Sequence, residues 1–294
     1  MEHVRWLIDP TSLTTELGIK NPVMVVAFTG WNDAGDAAST AVRTLVTTTA
    51  ARALAEIDPE VFTDFATVRP HVRLDESRNR EIAWPTVGVW ATSLPGTDVI
   101  LMLGPEPALR WRLFSEQIIK IAQAVGATTV LTLGALLADV PHTRPTHIVA
   151  TASDDLLNER FDLERSTYEG PTGIVGVVQH ALGRAGIPTA SLWAAVPGYA
   201  AQVPSPRAAI ALIERACSMM GTPAPISALN NEVNRYDAQV AALIDDDDDL
   251  TTYVGRLEAM ADEMVDDEPT IDDADPEQLA AEVEQFLRDR DGNA

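Results

Sequence analysis

Up to about residue 220 the chain alternates between two kinds of apolar pattern. The first is the short continuous run. NPVMVVAF (21–28), DVILMLG (98–104), TTVLTLGA (128–135) and PTASLWAAVP (188–197) are such runs, and THIVATAS (146–153) is a weaker one. Runs of this length predict strands, the Val- and Leu-rich ones buried on both faces. The second pattern spaces apolar residues three and four apart. It starts at Ala34 and extends to about Ile57, with a stripe at Val42, Leu45, Val46 and Leu54. It returns in 109–126, 170–187 and 206–221, where Gly126 and Gly186 supply stop signals. Residues 61–92 instead alternate around the polar turn DESRN, which predicts a hairpin and a following strand. Strands alternating with helices predict an α/β fold with a largely parallel central sheet and helices on both faces.

The pattern changes after GTPAP (221–225). Residues 228–244, 250–265 and 276–290 read as helices, separated by DDDDD (245–249) and DDEPTIDDADP (266–276). Val240, Leu243 and Ile244, then Val254, Leu257 and Met260, form faces that need a partner surface. Two units are therefore expected: an α/β core over 1–221, and an acidic helical appendage over 222–294 with a disordered end. Charge sharpens this division. The chain of 294 residues has a net charge of -23, and residues from Glu232 onward hold 21 of the acids but only 4 Arg, or -17. Such acidity repels phosphate backbones and argues against nucleic-acid binding. No apolar run approaches a membrane span, and MEHVRWLIDP does not resemble a secretory signal. A single cysteine, Cys217, lies in a helical apolar pattern with Ile210 and Ile213 and reads as a core residue of a cytoplasmic protein.

Candidate chemistry is sparse. The Asp run fails as a calcium loop, since Leu250 stands where glycine is needed and Arg256 where the bidentate Glu should be. Lys20 and Lys120 are the only lysines, and neither follows a glycine-rich turn, so no phosphate loop is present. The five histidines and one cysteine show no metal-ligand spacing, and the sequence points to no metal and no cofactor. What remains is a set of polar, Gly- and Pro-containing loops after the predicted strands, which a parallel sheet gathers at one edge. These supply the pocket candidates Gly30, Trp31, Asn32, Asp33, Asp36, Glu106, Arg144, Gly170 and Thr172. In ADVPHTRP, Asp139 could orient His142 as a general base, or His142 could be a hydrogen-bonded turn residue. In AFTGWNDAGDAAS (27–39), Gly30 allows a turn, and Asp33 or Asp36 can cap the following helix. That structural role explains most of the stretch and leaves Trp31 over.

FTGWNDAGDAAS, VRPHVRLDESRNREIAWP, GALLADVPHTRP and YEGPTGIVGVV, in this order, resemble the proteasome assembly chaperone 2 family in its actinobacterial-type branch. The resemblance covers roughly residues 4–220. It implies a fold similar to the purine nucleoside phosphorylase group and a homo-oligomer, with a trimer as the first expectation. It also implies a non-enzymatic role in protein–protein contact or complex assembly, with another protein complex as partner. Eukaryotic and archaeal relatives assist proteasome assembly, and some end in a hydrophobic residue, Tyr and any residue. This sequence ends RDRDGNA, so docking by that tail is not expected. The alternative is a nucleoside- or nucleotide-like small-molecule binder or enzyme, including the ATP-grasp-like ligase activity ascribed to some bacterial relatives. The shortage of lysine speaks against ATP chemistry.

Overall fold

The computed structural model describes residues 3–266 apart from 76, 153 and 164. The expected helix over 276–290 and the expected disordered end lie outside the described residues. The strands are β1 (Val4–Trp6), β2 (Val23–Thr29), β3 (Arg52–Ile57), β4 (His71–Leu74), β5 (Arg80–Ala83), β6 (Val87–Leu94), β7 (Thr97–Pro105), β8 (Thr129–Ala138), β9 (Ile148–Ala152) and β10 (Thr189–Pro197). The helices are α1 (Ala37–Thr48), α2 (Trp111–Ala124), α3 (Asp155–Phe161), α4 (Ile174–Arg184), α5 (Pro206–Met220), α6 (Asn230–Asp245) and α7 (Asp248–Asp266).

Eight strands form one sheet in the order β1-β3-β6-β7-β2-β8-β10-β9. The centre, β7-β2-β8-β10, is parallel, as the apolar runs predict. Antiparallel strands complete both sides: β6, β3 and β1 on one, β9 on the other. The central strands feed two cores because their side chains alternate between faces. Val25 and Ala27 of β2 meet α1 and α5 on one face, while Met24, Val26 and Phe28 meet α2 and α4 on the other. This split explains the continuous apolar runs. Cys217 is buried on α5, and burial pushes its thiol up to about 11.

One prediction overran. The helical stripe read from Ala34 to Ile57 ends at Thr48, and residues 52–57 form β3. The stop residue is Ala50, left-handed at φ 49°, with the N–H of Ala51 bonded back to the Val46 carbonyl at 3.0 Å. No glycine marks this stop, and Leu54 suits a helix stripe and a buried strand position equally well. α3, a short helix capped by the Asp154 carboxylate on the Leu157 N–H at 3.0 Å, also went unpredicted.

The helices after residue 222 fold back on the body. Tyr236, Val240, Ile244 and Val254 form a small core with Ala200, flanked by Tyr199, Val203 and Leu250. Arg207 of α5 grips Asp237 of α6 through two bonds, Nε–Oδ1 at 2.7 Å and Nη2–Oδ2 at 2.6 Å. The apolar faces expected to need a partner are thus covered at Val240, Ile244, Val254 and Leu257, while Leu243 and Met260 stay exposed. Among the described residues no helix is long and apolar enough to cross a membrane.

Candidate functional site

A cavity of about 1040 Å³ opens where the parallel strands end. Its floor and walls come from the turn after β2, the ends of β8 and β10, the edge strand β9, the loop before α4 and the first turns of that helix. Of the residues singled out in the sequence, Gly30, Trp31, Asp33, Asp36 and Thr172 line it. Asn32 and Glu106 stand just behind. Gly170 shares a loop with the lining residues Tyr168 and Pro171 but is off the wall.

The turn after β2 is built by polar groups that hold one another. Gly30, at φ 117°, lets the chain reverse, and its missing Cβ would have met the Glu106 side chain at 3.4 Å. Asn32 is fully buried. Its carbonyl accepts the Ala135 N–H at 2.8 Å and its side-chain amide donates to Glu106 Oε1, also at 2.8 Å. The same Glu106 oxygen accepts the N–H of Ile174, the first residue of α4, at 2.9 Å. One carboxylate therefore ties β7, the β2 turn and the start of a helix together.

Asp33 does the same for α1. Its Oδ1 accepts the N–H groups of Ala38 at 2.8 Å and Ser39 at 3.0 Å, while Oδ2 is buried with no hydrogen-bond partner among the described residues. Burial is the largest influence and raises the Asp33 pKa above the ordinary 3.8, against the bonds from Ser39 and Ala38. Asp36 stands at the helix start at φ 51° with no capping bond from its side chain, so the two candidate caps divide: Asp33 caps and Asp36 faces the cleft.

Trp31 and Tyr168, each 68% exposed, both line the cavity. Gly173, Gly176 and Gln179 also line the cavity, three residues apart on one face of α4 and its start. Gln179 and Gln202 were missed from sequence. The signal available for Gln179 was a polar residue interrupting the apolar helix at the same spacing as two glycines.

The Asp139–His142–Arg144 loop lies elsewhere. None of these three residues lines the cavity. Asp139 Oδ1 accepts the Tyr253 hydroxyl at 2.7 Å rather than a bond from His142. His142 is paired instead with Tyr199, whose hydroxyl accepts the His142 backbone N–H at 2.8 Å and lies 2.8 Å from Nδ1. Burial pushes the Tyr199 phenol up to about 12 and holds the His142 imidazole below its usual 6.5. Thr143 bonds Glu258, and Arg144 holds Asp262 at 2.6 and 2.8 Å. Of the two readings the sequence offers for this loop, the contacts match the hydrogen-bonded turn, and the loop fastens α7 to the body.

Fold and site together define an α/β protein with a parallel-centred sheet, a strand-end cleft and C-terminal helices packed back on the body. The family model described as the PAC2 family matches residues 27–244, and the chain belongs to that family. A PAC2 family protein from Streptomyces avermitilis is 43% identical over 79% of this chain and 99% of its own, with a TM-score of 0.75. A proteasome-assembly chaperone homologue from Mycobacterium tuberculosis is 40% identical over 79% and 99%, with a TM-score of 0.71. The archaeal proteasome activator PbaB from Pyrococcus furiosus shares the fold at 15% identity, covering 83% of this chain and 99% of its own, with a TM-score of 0.63. No curated protein matches the chain.

Proposed function

We propose that the chain is a non-enzymatic, cytoplasmic assembly-chaperone-like protein that acts as a homo-oligomer, a trimer first, on another protein complex, with proteasome components as the first candidates. The observation that carries this reading is the 40% identity, across 99% of its length, to a proteasome-assembly chaperone homologue. The site supports it. The carboxylates of Asp33 and Glu106 are committed to two helix starts, and Asp139, His142 and Arg144 to the C-terminal helices. The test is native affinity capture with subunit identification, together with solution mass. The expected result is an oligomer carrying partly assembled subunits of a larger complex. Recovery of the homo-oligomer alone in every growth state overturns the reading.

A second reading rests on the cleft itself. A cavity of about 1040 Å³ with Asp33 on its wall is large enough for a nucleoside-sized molecule. A thermal shift with nucleosides or nucleotides, lost in Asp36→Asn, supports it. Absence of any shift counts against it.

A further inference from the structure

The segment between β3 and β6 forms a two-stranded arm, β4–β5, which among the described residues pairs as a sheet only with itself. Cross-strand pairing sets Val72 opposite Ile82 and Leu74 opposite Arg80, all on one face. Val72, Leu74 and Ile82 are 50%, 65% and 48% exposed, and Trp84, two residues on, is 50% exposed. A two-stranded ribbon is marginal by itself, and apolar residues clustered on one face of it mark a contact surface. The arm is also basic for this chain. Residues 69–84 hold Arg69, Arg73, Arg78 and Arg80 against Asp75, Glu76 and Glu81, within a protein of net charge -23.

The strand-end cleft has the complementary character. Its rim exposes Trp31, Leu136, Leu137, Val149 and Tyr168. Its charged lining residues are Asp33 and Asp36, and among the described residues no Lys, Arg or His lines it. The cleft thus offers an apolar rim with Asp36 on its wall, and the arm an apolar face with Arg80 on it.

Both surfaces lie at one edge of the sheet. β6, which the arm feeds, begins at Val87 beside Gly88, and Gly88 pairs with Leu103 near the end of β7. That is the edge where the parallel strands stop and the cleft opens. We infer that the arm of one copy seats in the strand-end cleft of the next, with Leu74 and Ile82 entering among Leu137, Val149 and Tyr168, and Arg80 facing Asp36. The contact joins two different surfaces, so repeating it about a rotation axis closes a ring. In this arrangement the cleft is a receptor for a second copy of the chain. The inference rests on the homo-oligomer reading above and specifies how the copies meet.

Engineered cysteines test it, because Cys217, the single native cysteine, is buried with its thiol pushed up to about 11. Leu74→Cys and Leu137→Cys proteins, mixed and oxidised, should form a disulfide-linked pair. Neither variant alone should do so, nor should Leu74→Cys mixed with Leu7→Cys, a comparably exposed position outside the cleft. Arg80→Glu and Asp36→Arg should each lower the association constant about tenfold or more, and the double variant in one chain should recover most of the loss. If either charge variant melts early, the cysteine pair decides alone. An oligomer that persists without a 74–137 cross-link overturns the arm-in-cleft contact and leaves the homo-oligomer standing. A wild-type chain that is monomeric at its highest soluble concentration overturns both. A Leu137→Cys protein that cross-links in lysate only to a different protein overturns the choice of occupant.

Discussion

Asn32 and Gly173 touch so closely that a Cβ on Gly173 would stand 2.1 Å from the Asn32 side-chain oxygen. Asn32 cannot retreat, because its amide is bonded to Glu106 and its backbone carbonyl to Ala135. Gly173→Ala should therefore cost about 1–3 kcal/mol in a denaturant titration, by forcing apart the β2 turn and the start of α4. Gly170→Ala is the matched control. The nearest atoms its Cβ would meet belong to the exposed Tyr168 ring, which can swing into solvent at the loss of one hydrogen bond to the Pro171 carbonyl, so the cost should stay within about 1 kcal/mol.

Asp33 makes a pH-dependent contribution whose sign is fixed by its raised pKa. The folded state holds the proton more tightly than the unfolded state. Stability should therefore fall as pH rises from the ordinary carboxylate value of 3.8 through the raised one. Asp33→Asn keeps an acceptor for the Ala38 and Ser39 N–H groups and removes the buried charge. It should leave stability at neutral pH unchanged or higher and abolish this part of the pH slope. Asp33→Ala loses the cap and should cost about 1–2 kcal/mol. Melting curves across pH for the three proteins check all of this.

His142 acts in the opposite direction. Its folded pKa is held below 6.5 by burial, so the unfolded state takes up the proton first. Stability should drop as pH falls below 6.5 toward the lowered value. His142→Gln should remove that loss. The matching readout is hydrogen exchange in α7, which should speed up on acidification in the wild type and not in the variant.

Val240 is fully buried in the small core that fastens α6 and α7. Val240→Ala should lose about 1–3 kcal/mol of local stability. The effect should be confined: amides of residues 230–266 should exchange faster while those of β2 and β8 keep their protection.

The parallel centre of the sheet was legible because its strands are buried on both faces and carry unbroken apolar runs. The antiparallel edges were less legible. β3 hid inside a helical stripe because Ala50, not a glycine, turns the chain at its start. The cleft was readable as a place, since loops after parallel strands gather there, and Gly30, Trp31, Asp33, Asp36 and Thr172 do line it. What each side chain does there was not readable. Asp33 and Asp36 are equivalent by sequence, and burial and φ separate them. Asp139 and His142 are three residues apart, yet Tyr253 and Tyr199, more than fifty residues away, claim them. Local spacing carries no information about partners that arrive from a distant helix.

The outermost strands of the eight-stranded sheet are among its shortest: β1 has 3 residues and β9 has 5. Edges this short offer too little backbone to template a long added strand. The body is thereby guarded against end-to-end stacking of sheets, the first step toward fibrous aggregates. Any contact made at the ends of this sheet then falls to side-chain shape and charge, with its long main-chain ladders kept in the interior.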